Sequence, residues 1–125
     1  MGNYLSFEET PVWKKAHALI LDIYKFTSKF PKEEQFALTS QLRRAAVSIE
    51  ANIAESFGRF HFPDRLNFFY HARGSLEETK SHLLLSKDLG YLNQEDFGRL
   101  RSSAEQIGMD LNRVIATTRS KKDEQ

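Results

Sequence analysis

Residues 38–59 read LTSQLRRAAVSIEANIAESFGR, and this stretch decides the fold. Leu38, Leu42, Ala45, Ile49, Ile53 and Phe57 recur at steps of three and four, which draws one apolar stripe down an α-helix. A second side mixes Arg43, Val47, Glu50 and Ala54, and Arg43, Arg44, Glu50 and Glu55 are the only charges before Gly58. Between these sides run Gln41, Ser48, Ala51, Asn52 and Glu55, mostly short side chains whose polar ends need partners once buried. A surface helix of a small bundle ordinarily carries more charge than this. The pattern therefore predicts a helix that contacts its own bundle on one side and another subunit on the other. Gln41, Ser48, Ala51, Asn52 and Glu55 are the expected subunit-interface residues.

The flanking sequence supplies three more helices. Thr10 followed by Pro11 is an N-cap hydroxyl and then a first-turn proline. From there Trp13, Ala16, Ile20, Ile23, Thr27 and Phe30 keep the three-four alternation, and Pro31 ends the run, predicting a helix over about 10–29. The second helix is expected over about 34–57, closed by Gly58 in a left-handed C-cap. Pro63 and Asp64 suit a first turn, and Leu66, Phe69, Ala72, Leu76 and Leu83 mark the core side of a third helix over about 63–88. Gly74 interrupts that helix at a cost of about 1 kcal/mol, which suggests that another backbone approaches it closely. Gly90 ends the third helix and Asn93 starts the fourth, over about 94–119, with Phe97, Leu100, Ala104, Ile107, Leu111, Val114 and Thr118 on its core side. The tail after Arg119 reads as polar and frayed. Short links make consecutive helices antiparallel neighbours, so the expected fold is all-α, a single up-down-up-down four-helix bundle over residues 1–125.

Composition narrows the function. With 125 residues and 40% hydrophobic content the chain can bury a core unaided, and the absence of cysteine excludes disulfides and thiolate metal sites. No run approaches the ~20 apolar residues of a spanning helix, so no membrane partner is expected and a cytoplasmic location fits. MGNYLS fits the loose N-myristoylation pattern at Gly2, a match that chance accounts for. The net charge of +1 gives no bulk attraction to nucleic acid, only local patches.

Those patches are arginines. Arg43, Arg44, Arg59, Arg65 and Arg73 lie on the second and third helices, and Phe60, His61 and Phe62 fill the loop between Arg59 and Arg65. Guanidinium groups bind phosphate and aromatic rings stack on bases, so these five arginines are the candidate nucleic-acid contacts. The competing reading makes Arg44 and Arg73 internal ion pairs, Arg73 with Glu55 or Glu77. Catalytic signatures are missing. His71, Glu78 and His82 share one helix face, yet the chain holds no Glu-x-x-His motif of a di-metal bundle, and these histidines read as surface residues. Ser48 and Ser75 lack the context of a nucleophile, and no phosphate-binding glycine loop is present. No cofactor, metal site or catalytic residue is assigned.

The residues Trp13-Lys14-Lys15-Ala16, YKFTSKFPKEEQFALTSQLRRAAVSIEANIAESFGR from Tyr24 to Arg59, ARGSLEET from Ala72 to Thr79, and LGYL from Leu89 to Leu92 carry a family resemblance. The chain resembles the four-helix-bundle proteins encoded in intervening sequences of bacterial 23S rRNA genes, also labelled S23-like ribosomal proteins. It departs at Ser56, where the family usually has glycine, and in FHFPD, a loop commonly more basic and serine-rich, which weakens a claim that this loop grips RNA. The resemblance implies a ring-forming homo-oligomer, most often a homopentamer, of poorly defined role. The ribosomal label reflects gene location and does not imply membership of the ribosome. A related branch, accessory proteins of diversity-generating retroelements, binds nucleic acid and a reverse transcriptase through a more basic ring. The expected function is therefore a non-enzymatic oligomeric bundle that binds RNA or DNA, structured RNA foremost, through arginine–phosphate contacts. The alternative is a protein-interaction adaptor or scaffold ring.

Overall fold

The computed structural model describes residues 4–123; Gly2 of the myristoylation-like pattern lies outside them. Four α-helices account for most of the described chain: α1 (Pro11–Thr27), α2 (Leu38–Phe57), α3 (Phe62–Asp88) and α4 (Gln94–Asp123). Among the described residues there is no strand, and 3-10 turns at Phe7–Glu9 and Lys32–Glu34 precede α1 and α2. Helix α1 packs on α2 and α4, and α3 packs on the same two helices, so the four enclose one core in a bundle arrangement. Between α3 and α4 the paired residues are Tyr70 with Arg119, Arg73 with Asn112 and Lys80 with Glu105, so the α4 numbers fall as the α3 numbers rise.

The apolar stripes form this core. Leu42, Ile49 and Ile53 of α2, Phe69, Leu76 and Leu83 of α3, and Leu100, Ile107 and Leu111 of α4 are fully buried together with Leu19 and Ile23 of α1. Burying a side chain of this size contributes about 1.5–3 kcal/mol, so the stripes supply most of the drive for the fold. Trp13, Phe26, Phe97 and Val114 are half-buried at its margin. Phe7 of the first 3-10 turn packs on Trp13 and Phe57 at ring-centre distances of 5.3 and 6.5 Å, tying the start of α1 to the end of α2.

Local capping follows the sequence in part. Thr10 Oγ1 accepts from the Trp13 amide at 3.3 Å, and Asn93 Oδ1 accepts from the Asp96 amide at 2.7 Å. Gly90, with φ 85°, is the described residue that needs the left-handed region, and it turns the chain out of α3. Three boundaries differ from expectation. Helix α2 begins at Leu38, because Lys32–Glu34 winds as a 3-10 turn and Ala37 takes φ −123° and ψ −107°, outside helical geometry. Gly58 ends α2 at φ −81° and ψ −2°, in the right-handed region instead of a left-handed cap. Helix α4 runs on to Asp123, since neither glycine nor proline interrupts the sequence after Gly108.

Candidate nucleic-acid interface

The α2 arginines differ in their surroundings. Arg43 reaches back across the α1–α2 seam, where its Nε donates to Thr27 Oγ1 at 2.8 Å and its Nη2 to the Tyr24 carbonyl at 3.4 Å. Its guanidinium carbon lies 4.4 Å from the Tyr24 ring centre. Arg44 is exposed and has no hydrogen-bond or ion-pair partner among the described residues.

Around the α2–α3 link the pattern repeats. Arg59 forms an ion pair with Glu55 at 3.0 Å, one helical turn back, and rests 4.6 Å from the centre of the Phe68 ring. Arg65 donates from Nε to the Arg59 carbonyl at 2.7 Å and lies 5.2 Å from the Phe62 ring. Phe60 protrudes from the link, 83% exposed, with its ring against His61 at 5.1 Å. About three turns into α3, Arg73 donates from Nη1 to Asn112 Oδ1 at 3.2 Å and lies 5.3 Å from the Tyr70 ring. The ion pairs left open for Arg73 by the sequence do not form: Glu55 goes to Arg59, and Glu77 goes to Lys80 at 2.7 Å.

Of the expected interface residues, Gln41, Ala51 and Glu55 are exposed. Ser48 and Asn52 serve their own chain. The hydroxyls of Ser48 and Ser75 share a hydrogen bond of 2.9 Å across the α2–α3 seam, and Asn52 Nδ2 donates to the Ser48 carbonyl at 2.8 Å and to its hydroxyl at 3.1 Å. The Ser48 hydroxyl and the Asn52 Nδ2 thereby find hydrogen-bond partners within the chain. Gly74 is likewise open within the chain, because a methyl group built there would meet nothing within 4 Å.

Several titratable groups are paired with one another. His82 and Glu78 pair at 3.3 Å, and among the described residues no cluster of three or more His, Asp or Glu side chains is placed to hold a metal ion. His17 pairs with Glu50 at 2.8 Å under a stacked Trp13 ring, which joins α1 to α2. On the α3–α4 seam Lys80 lies 3.4 Å from Glu105, which also accepts from Arg101 at 2.7 Å. Arg101 first and Lys80 second hold the Glu105 carboxyl below the usual carboxylate range. Ser48 and Ser75 have no histidine or carboxylate among their hydrogen-bond partners in the described residues.

A family model described as 23S rRNA-intervening sequence protein matches residues 8–113. The chain belongs to the 23S rRNA-intervening sequence protein family. A solved structure shares its fold: a protein with unknown function from the S23 ribosomal protein family of Bacteroides thetaiotaomicron VPI-5482, with a TM-score of 0.78. That protein is 23% identical to this chain, and the likeness covers 83% of this chain and 97% of the other. No curated protein matches the chain. For this member of the 23S rRNA-intervening sequence protein family, no helix among the described residues is long and apolar enough to cross a membrane.

One arginine escaped the sequence reading. Arg119 donates from Nε to the Tyr70 hydroxyl at 2.8 Å, and its guanidinium lies 5.5 Å from the Tyr70 ring. It sits outside residues 8–113. Only its place one helical face away from Thr118 in the α4 stripe hinted at a seam position, and spacing within α4 says nothing about Tyr70.

Proposed function

We propose that the protein is a non-enzymatic, ring-forming bundle that binds nucleic acid, structured RNA foremost, through arginine–phosphate contacts. The state of the arginines carries this reading. Arg43, Arg44, Arg65 and Arg73 have no carboxylate partner among the described residues, and Arg43, Arg59, Arg65 and Arg73 each rest on an aromatic ring. A guanidinium satisfied by hydroxyl, carbonyl and amide oxygens keeps its whole charge for a phosphate. The ring beneath it also limits the side-chain freedom lost on binding. The internal-ion-pair reading thus keeps only Arg59, whose exposed pair with Glu55 is of the weak, salt-screened kind.

The opposed numbering of the α3–α4 pairs supports an antiparallel up-down-up-down topology. The exposed stripe of Gln41, Arg44, Ala51 and Glu55, with Val47 and Gly58 beside it, supports subunit contact along α2. Its negative side chain, Glu55, is already paired with Arg59, while Arg44 has no carboxylate partner among the described residues, so a second subunit would cover the stripe at least cost with Arg44 left at the edge of the contact. A homopentamer is the assembly that the family resemblance implies, and a cytoplasmic location is the one that composition fits. A second reading, a protein-interaction adaptor, is favoured by Leu84, Leu85 and Leu89, exposed by 41%, 46% and 49% at the end of α3.

Retention of a structured RNA by the full chain tests the first reading. Wild-type retention should fall steeply as salt rises from about 50 to 300 mM, whereas docking on apolar leucines should hardly respond. Arg59→Glu with Arg65→Glu should abolish retention at unchanged helicity. Retention indifferent to both salt and these substitutions would refute the arginine–phosphate reading.

A further inference from the structure

Two guanidinium groups converge on one tyrosine at the α3–α4 seam. Arg73 and Arg119 place their guanidinium carbons 5.3 and 5.5 Å from the Tyr70 ring centre. Arg119 Nε donates to the Tyr70 hydroxyl at 2.8 Å, and Arg73 Nη1 donates to Asn112 Oδ1 at 3.2 Å. Among the described residues neither cation meets a carboxylate. Glu77, one turn along α3 from Arg73, is held by Lys80 at 2.7 Å, and Asp110, two residues before Asn112 on α4, is held by Lys15 at 2.8 Å on the α1 side. The groups that hold these two cations, Asn112 and Tyr70, are neutral, so no carboxylate among the described residues offsets their charge. An anion between them would offset it.

The donors left over suit a phosphate. Each guanidinium has five N–H groups and uses one in the contact named above, and the Tyr70 hydroxyl, which accepts from Arg119, keeps its own proton to donate. Arg73 is half-buried while Arg119 and Asn112 are exposed, so the site opens to solvent. It also lies on the opposite side of α3 from the Ser48–Ser75 hydrogen bond, so subunit contact along the α2–α3 seam would leave it open.

We propose that Arg73 and Arg119, oriented by Tyr70, form a two-arginine clamp for one phosphodiester of a bound nucleic acid. This inference rests on the nucleic-acid reading above and adds to it a second strip of contact, along α3 and α4, that the α2–α3 link does not supply. Free phosphate shares the same chemistry, so the test carries an arm for each.

In the first arm, anisotropy of a labelled RNA hairpin is measured with the full chain across a salt series. Losing one phosphate contact should reduce the salt slope by about 0.7–0.9 and weaken binding about fivefold near 0.1 M salt. Arg73→Gln and Arg119→Gln should each show that loss, and the double variant about two contacts' worth. Tyr70→Phe retains both charges but frees Arg119, so affinity should fall with the slope unchanged. In the second arm, 31P line widths of inorganic phosphate are followed as protein is added. If the glutamine variants bind RNA like wild type while Arg59→Glu with Arg65→Glu does not bind, the clamp is wrong and the nucleic-acid reading stands. If RNA is not retained but phosphate broadens with wild type and not with Arg119→Gln, the clamp stands as a free-phosphate site and the nucleic-acid reading falls. If neither RNA nor phosphate responds, both are wrong.

Discussion

Gly74→Ala should stabilise the isolated subunit, although glycine stands in the middle of a 27-residue helix. Glycine costs about 0.8–1.0 kcal/mol against alanine in a helix interior, through the backbone freedom it loses on folding. Nothing in the chain offsets that cost, because a Cβ at Gly74 would meet no atom within 4 Å and the residue is exposed. With an unfolding entropy of about 2.1 cal/mol/K per residue, 125 residues give about 0.26 kcal/mol/K, so 1 kcal/mol raises Tm by about 4 °C. The assay is thermal melting followed by circular dichroism, at a concentration where light scattering reports monomer. Gly108→Ala is the internal control: its Cβ would sit 3.4 Å from a Leu76 methyl group that is fully buried, at the close edge of ordinary contact, so the gain should be smaller than at Gly74. An unchanged or lowered Tm for Gly74→Ala in the monomer would refute the reasoning. The same variant also probes assembly. If another subunit's backbone packs on Gly74, the added methyl should weaken the oligomer while it strengthens the monomer, and a rise at every concentration would move the subunit contact away from this face.

Three further outcomes follow from the geometry. Ala51→Arg puts a long cation into the exposed α2 stripe, so the solution mass by light scattering should drop to that of one subunit with helicity retained; an unchanged mass would place the interface elsewhere. Ile49→Ala empties a fully buried site and should cost about 2–5 kcal/mol in urea unfolding, whereas a loss under 1 kcal/mol would mean that the core collapses around it. Arg101 and Lys80 hold the folded Glu105 carboxyl below its ordinary range, so its contribution is present above the unfolded carboxylate pKa and disappears as pH falls through the folded value. Glu105→Gln should therefore lower Tm near neutral pH and converge with wild type in acid, and a gap that stays constant across the pH series would contradict the assignment.

How much of this could be seen in the chain depends on whether a feature is local. The stripe from Leu38 to Ile53 announced its buried face because burial on a helix repeats with the helix period, and Thr10 and Asn93 announced their caps because a cap is a contact three residues long. The start of α2 stayed hidden. Phe36 and Ala37 carry no breaking signal of their own, and the 3-10 turn over Lys32–Glu34 is anchored from outside, where the Tyr91 hydroxyl donates to Glu34 at 2.8 Å. The arginines divide in the same way. Arg65 over Phe62 and Arg73 over Tyr70 are three-residue pairs on one helix and could be read from spacing, whereas Arg43 over Tyr24 and Arg119 over Tyr70 join different helices and could not. Ser48 and Asn52 were expected at a subunit interface because small polar residues in a low-charge stripe need partners, but the same chemistry is met inside the chain by Ser75.

The Ser48–Ser75 hydrogen bond bears on what α3 does. With Ser75 committed to α2 on one side and Tyr70, Arg73 and Lys80 committed to α4 on the other, α3 is the helix that both seams share. The α2–α3 seam borders the low-charge stripe, where covering the surface costs little desolvation. The α3–α4 seam carries arginines without carboxylates among the described residues, which an apolar partner would bury at high cost. If a second subunit covers the α2 stripe, the phosphate site proposed at Arg73 and Arg119 lies on the other side of α3. It follows that Ala51→Arg should abolish assembly while each dissociated subunit still binds phosphate at Arg73 and Arg119. Loss of both together would mean that the two sides are one surface.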